Sequence, residues 1–136
     1  MRVLIDTHVL LWAATEDVET VQSKLSRDAR RMLRDGSNDI IVSAGTLFEI
    51  AIKVSIGKLP LPPEFPTMVE AHGYEILPIA PRHLEQLARL PLRHRDPFDR
   101  LLVAQAAVDG LILLTADAQL RAYDEAEIRM AHSKSR

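Results

Sequence analysis

Apolar residues in this chain fall into two kinds of run, and their alternation predicts the fold. Short continuous runs stand at Val3-Leu4-Ile5, Ile40-Ile41-Val42, Glu75-Ile76-Leu77-Pro78-Ile79 and Leu111-Ile112-Leu113-Leu114-Thr115. Runs of this length, apolar on both faces, suit strands buried inside a parallel sheet. Pro78 cannot donate to a ladder, so its strand belongs at an edge. Longer segments with helical spacing lie between the runs. Val9 to Ala13 suits a helix turning back over the sheet, with Trp12 as core. Ser26 serves as N-cap for Arg27 to Arg34, and Asp35-Gly36 stops that helix. After the second strand, Leu47, Phe48, Ile50, Ala51, Val54 and Ile56 give a helix a broad apolar face that ends at Gly57.

Further along, Pro60 to Pro66 reads as a Pro-rich loop, and a short helix passes through Met68 and Val69 to reach Gly73. His83 to Leu90 forms another helix. Leu101 to Val108 is apolar almost all round, as a buried helix must be; Asp96-Pro97 precedes it and Asp109-Gly110 closes it. Ile128 to Met130 supplies one more short strand. Strands alternating with helices argue for an α/β fold whose parallel sheet is wound through right-handed crossovers. Such sheets gather ligands beyond the carboxyl ends of their strands, which is where function is expected here.

Composition narrows the partners. The chain has 136 residues, 47% of them hydrophobic, enough for one core; residues 1–130 are expected to form a single domain and 131–136 a frayed tail. Seventeen Lys and Arg against nineteen Asp and Glu leave a net charge of -2, so no global basic field exists to hold nucleic acid. Any such binding must use local patches or a metal. Arg27, Arg30, Arg31 and Arg34 share one helical face, which reads first as a solvated surface. The absence of cysteine removes disulfides and thiolate metal sites and fits a reducing cytoplasm. No run approaches the roughly 20 apolar residues of a membrane span, and Val9 to Ala14 is too short for an export signal.

Four acids converge on the predicted carboxyl edge. Asp6 follows the first strand, Glu49 lies in the helix after the second, Asp99 opens the long buried helix, and Asp117 follows Thr115 at the end of the fourth strand. Crowded carboxylates raise one another's pKa unless a cation sits among them. Oxygen ligands without cysteine or paired histidine suit Mg²⁺ or Mn²⁺, ions that polarise a phosphoryl oxygen and acidify a bound water. Each acid also has a structural explanation. Asp96 is best read as an N-cap, Asp99 fits the same cap geometry, and Asp117 serves equally as cap or ligand. Thr46-Leu47-Phe48-Glu49 matches a capping box. If Ser43 is the cap instead, Glu49 lies ~9 Å along the helix axis and reaches the site from its flank. A charge closing a buried strand seldom comes without a partner or an ion, which makes Asp6 the hardest to explain structurally. Thr7 and Thr115 stand where they can orient acids or waters, while His8 and His94 read as solvent-facing or hydrogen-bonded histidines. Arg93, Arg95 and Arg100 flank the edge as candidate phosphate contacts.

Leu4-Ile5-Asp6-Thr7-His8-Val9-Leu10-Leu11-Trp12, Val42-Ser43-Ala44 through Glu49 to Lys53, His94 through Leu102, and Leu114-Thr115-Ala116-Asp117 together resemble the signature blocks of PIN-domain ribonucleases, in particular VapC-type toxins of bacterial toxin-antitoxin pairs. The resemblance implies a three-layer sandwich with four or five parallel strands between helices. It also implies Mg²⁺- or Mn²⁺-dependent cleavage of RNA, a homodimer, and inhibition by a cognate antitoxin protein that covers the acidic groove. The family's catalytic, metal-holding acids fall on Asp6, Glu49 and Asp99, with Asp117 as the fourth and the associated hydroxyl on Thr115. The stretch from Glu16 to Lys24 is less typical.

Other readings of an acidic sheet edge fare worse. A receiver domain needs an acidic pair after the first strand and a phosphoacceptor Asp after the third, and neither is present. A haloacid-dehalogenase phosphatase needs a second Asp two residues after Asp6, and a nucleotide site needs a Gly-rich loop. A catalytically silent interaction module with the same fold stays open.

Overall fold

The computed structural model describes residues 1–14 and 24–132. Five strands form one parallel sheet: β1 (Arg2–Ile5), β2 (Asp39–Ser43), β3 (Glu75–Leu77), β4 (Ile112–Thr115) and β5 (Glu127–Met130), in the order β3-β2-β1-β4-β5. Among the described residues six α-helices accompany them: α1 (Thr7–Ala14), α2 (Arg27–Arg34), α3 (Ala44–Ser55), α4 (Phe65–Ala71), α5 (Pro81–Arg89) and α6 (Pro97–Asp109). A 3₁₀ helix spans Ala118–Ala122.

Alternation along the central strands divides the core into two halves. Val3 and Ile5 of β1, Val42 and Leu114 pack with Val9, Leu10 and Ile50 on one face of the sheet. Leu4, Ile41 and Leu113 pack with Leu102, Val103 and Ala106 of α6 on the other. Two apolar faces covered by helices make three layers, the arrangement a parallel sheet requires. Register then sets the site. Ile5 pairs with Val42 on one side and Leu114 on the other, so Asp6, Ser43 and Thr115 come level at the carboxyl edge.

Local signals account for several of the helix ends. The Ser26 side chain accepts the Ala29 amide at 3.0 Å and starts α2. Asp96 accepts the Phe98 and Asp99 amides and starts α6, with Pro97 at its first position. Gly110, at φ 67°, takes the left-handed cap that ends α6, a conformation in which a Cβ is strained. Gly45 acts differently. A Cβ there would stand 2.5 Å from Leu101 Cδ2 and force that side chain to shift, so the glycine eases the approach of α3 to α6.

Of the two caps the sequence left open, Ser43 starts α3: its hydroxyl accepts the Gly45 amide at 3.0 Å, which removes Glu49 from a capping box. Several other expectations are corrected. α4 begins at Phe65, inside the expected loop, because Pro66 is accommodated in a first turn where its missing N–H costs nothing. Trp12 is only partly buried, at the margin of the core. β3 stops at Leu77, short of Ile79, since Pro78 cannot extend the ladder. The expected frayed tail is held at its start. Ala131 is buried, donates to Thr115 O at 2.8 Å and accepts the Ser26 amide at 2.7 Å, and His132 bridges to Leu25. Residues 133–136 and most of Glu16 to Lys24 lie outside the described residues.

Candidate functional site

An open groove of about 420 Å³ runs along the carboxyl edge, lined by Asp6, Glu49, Asp99 and Asp117 together with Thr7, His8, Trp12 and Lys53. Each acid is held differently, and the difference decides what it can do.

Asp6 is 2% exposed yet well satisfied. Its Oδ1 accepts the Val9 amide at 2.9 Å, capping α1, while Oδ2 accepts the Thr115 hydroxyl at 2.7 Å and the Ala116 amide at 2.9 Å. Three donors compensate the burial of a carboxylate. Thr115 in turn accepts the Asp117 amide at 3.0 Å, so one hydroxyl ties Asp6 to the chain carrying the fourth acid. Glu49 reaches the groove from the flank of α3. Its Oε1 accepts the Thr7 hydroxyl at 2.7 Å, and Lys53, one turn on, sits 2.9 Å from Oε2. Thr7 at the start of α1 and Thr115 at the end of β4 therefore both orient acids.

Asp99 lacks such support. Among the described residues its only side-chain partner is His94, whose Nε2 lies 3.4 Å from Oδ2. Burial, followed by the charges of Asp96 and Asp6 and, more weakly, Asp117, pushes its carboxyl up to about 7, against a partial offset from His94. Asp117 has two functions at once. Its Oδ1 accepts the Gln119 amide at 2.9 Å and caps the 3₁₀ helix, and its Oδ2 lies 2.6 Å from His94 Nε2. Burial pushes Asp117 upward, but the bonds from His94 and Gln119 outweigh it and hold its carboxyl below the ordinary value.

His94, read from the sequence only as a solvent-facing or hydrogen-bonded histidine, stands against two of the acids; its contact with Asp117 had no local signal, because that residue is 23 positions away. Arg100 turns from the groove: its Nη2 donates to Leu90 O at 3.1 Å. Arg93 reaches Ala122 O and Glu125 and packs over Tyr123, whereas Arg95 is exposed beside a shallow recess with Glu49 and Phe98.

The donor set suits a small divalent cation. One potential ligand atom each from His94, Asp99 and Asp117 lies within 4.8 Å of the others. Two ligands on opposite sides of a Mg²⁺ ion stand about 4.2 Å apart, from bonds of about 2.1 Å. An acid near pH 7 in an uncompensated position is what a bound cation would relieve.

A sequence profile of the PIN domain matches residues 3–126. The chain belongs to the PIN-domain family. No curated protein matches it in sequence. Among solved structures, this PIN domain resembles a chain of VapBC2 from Rickettsia felis bound to a DNA fragment from their promoter. That match has a TM-score of 0.72, 14% identity, and coverage of 96% of this chain and 98% of that one. It resembles DNA-bound VapBC from Salmonella typhimurium at a TM-score of 0.69 and 16% identity, over 96% and 98% of the two chains. A third similar structure is VapBC-5 from Mycobacterium tuberculosis, a member of the VapBC family of toxin-antitoxin systems, at 0.59 and 20% identity, over 95% and 96%. At these identities the likeness is one of fold.

Proposed function

We propose that this PIN domain is a Mg²⁺- or Mn²⁺-dependent endoribonuclease, hydrolysing phosphodiester bonds in RNA, and that it acts in the cytoplasm as the toxin of a toxin-antitoxin pair. PIN-domain proteins are typically nucleases. The observation that carries the reading is the groove: Asp6, Glu49, Asp99 and Asp117, from four separate elements, line one opening, and one of them is driven to about 7 by burial and its neighbours' charge. A fold scaffold has no need of such an arrangement, and its electrostatic cost is removed by a divalent ion.

Asp99 and Asp117 are the acids with oxygens most open to an ion, Asp6 borders them, and Glu49 approaches from the Lys53 side. The ion would polarise a phosphoryl oxygen and lower the pKa of an attacking water. The protein's part is to hold the acids still: Thr115 and two backbone amides fix Asp6, Thr7 fixes Glu49, and the Gln119 amide fixes Asp117. Lys53 and exposed Arg95 supply positive charge beside an RNA backbone despite the chain's net charge of -2. The proposed partners are an antitoxin protein and a second copy of the chain, in a homodimer or a toxin-antitoxin hetero-oligomer. The antitoxin follows the toxin-antitoxin character of the similar structures, and the second copy follows the family resemblance of the sequence.

Incubation of the purified protein with end-labelled RNA tests the reading. Cleavage should require Mg²⁺ or Mn²⁺, stop on chelation and return on readdition. Asp99→Asn is the informative variant, because among the described residues no backbone amide or hydroxyl donor relies on its carboxylate. It should cleave more than 10-fold more slowly while melting no lower than the parent, since a lost ligand removes several kcal/mol of transition-state stabilisation. Undiminished cleavage in chelator, or by Asp99→Asn, would refute the proposal.

A further inference from the structure

His94 faces Asp99 and Asp117 with only 11% of its side chain exposed. Two roles are compatible with that position: a nitrogen ligand to the ion, or a hydrogen-bond donor that holds the carboxylates. The far side of the ring decides between them. The Asp96 amide donates to Nδ1 at 3.2 Å. A backbone N–H can only donate, so Nδ1 carries no proton and the ring proton sits on Nε2. Nε2 is the atom 2.6 Å from Asp117 Oδ2 and 3.4 Å from Asp99 Oδ2, and as an N–H it has no lone pair for a cation. A metal-ligating histidine shows the reverse arrangement, with its non-ligating N–H donated to a carbonyl or carboxylate. The same chain uses the non-ligating arrangement elsewhere. His83 accepts the Ala80 amide at Nδ1, 3.0 Å, and sets Nε2 against Asp109 at 3.0 Å, in a fully buried position.

We propose that His94 is a positioning residue whose Nε2–H holds Asp117 and leans toward Asp99, leaving an all-oxygen set facing the groove, so that the site takes hard divalent cations and is not a nitrogen-ligated zinc centre. This rests on the nuclease reading above. The anchoring is specific. Asp117 is gripped at both oxygens, Oδ1 by the Gln119 amide and Oδ2 by His94, so its remaining lone pairs have a fixed direction. The Asp96 amide orients His94, and Asp96 also caps α6, the helix that carries Asp99. One short segment thus sets the geometry of two acids. An oxygen-only set matches the preference of Mg²⁺ and Mn²⁺, whereas an imidazole ligand would favour Zn²⁺.

The test uses the whole protein with ¹⁵N-labelled histidine, at one pH, first metal-free and then saturated with Mg²⁺ and with ¹¹³Cd²⁺, a softer ion that readily takes nitrogen. The His94 signals are assigned by their loss in His94→Asn, whose side-chain oxygen can still accept the Asp96 amide. The Nε2–H tautomer should persist in all three states, with no ¹¹³Cd–¹⁵N coupling. Mg²⁺ affinity by calorimetry should fall 10- to 100-fold in His94→Leu and recover most of that loss in His94→Gln, which restores an N–H donor. An Nδ1–H tautomer or a cadmium coupling would overturn the positioning role while Mg²⁺ binding kept the nuclease reading alive. Failure of the parent to bind any divalent ion would overturn both. The labelled parent decides the matter even if the leucine variant does not fold.

Discussion

Raising the pH in the absence of divalent cations should weaken this protein, and Asp99 sets the size of the effect. Its carboxyl is raised from 3.8 to about 7, by burial first and then by Asp96 and Asp6. The sign follows from proton counting: between those values the folded chain keeps a proton that the unfolded chain has released, so stability falls as pH climbs. The full shift corresponds to about 4 kcal/mol at about 1.4 kcal/mol per pH unit, of which roughly 3 kcal/mol is lost between pH 5 and pH 8. Against a typical total of about 5–15 kcal/mol this is a large fraction, on the order of 10 °C in melting temperature for a chain of this size. Asp109 and Asp117, both held below their ordinary values, act in the opposite sense: their stabilisation is present above the normal carboxylate range and is lost only in stronger acid. Thermal melts in chelator at pH 5, 6, 7 and 8 measure the slope. Mg²⁺ should restore most of the loss at pH 8 and add little at pH 5, and Asp99→Asn should flatten the profile and exceed the parent at pH 8 without metal. A parent whose melting temperature is constant or rises from pH 5 to pH 8 in chelator would rule out a raised Asp99 carboxyl in the folded chain.

Other consequences are equally open to measurement. Asp6→Asn should destabilise by about 2 kcal/mol in urea unfolding, because its new amide N–H₂ must face a donor among the Val9 amide, the Ala116 amide and the Thr115 hydroxyl; an unchanged midpoint would mean that these bonds contribute nothing net. Thr115→Val keeps the shape and loses the hydroxyl bridging Asp6 and the Asp117 amide, so RNA cleavage should slow more than 10-fold with KM little changed, read from initial rates. Asp109→Ala leaves His83 Nε2–H without an acceptor in a fully buried site and should cost about 2 kcal/mol in the same urea assay, at the end of α6 away from Asp99.

What could be read from the sequence was what local rules decide. Asp96-Pro97 and Gly110 bracket α6 because cap and left-handed stop are properties of adjacent residues. The strands were legible as apolar runs, and Pro78 marked the edge strand without any knowledge of its neighbours. Register could not be read, and register is what brings Asp6 level with Thr115, 109 positions later. Glu49 shows the same limit. A local capping box and a long-range tie to Thr7 compete for one side chain, and the sheet decides by placing Ser43 at the helix start. His94 was legible only as a solvent-facing or hydrogen-bonded histidine, because Asp117, the acid it meets at 2.6 Å, follows β4 23 residues later, and Ala131 looked like tail because its hydrogen bonds lead to Thr115 and Ser26. The acids themselves were legible by type and by element, since a carboxylate at a strand end or helix start needs only local order to be placed there.

Whether Asp99 and Asp117, beside Asp6, share a divalent cation is tested most directly by crystals soaked in Mn²⁺ and measured at its absorption edge. An anomalous peak is expected within about 2.2 Å of an oxygen of Asp99 and of Asp117, with His94 still bonded to Asp117 and outside the coordination sphere. A protein that cleaves RNA with Mn²⁺ yet shows no peak in this groove, or shows one held by other residues, would contradict a shared ion.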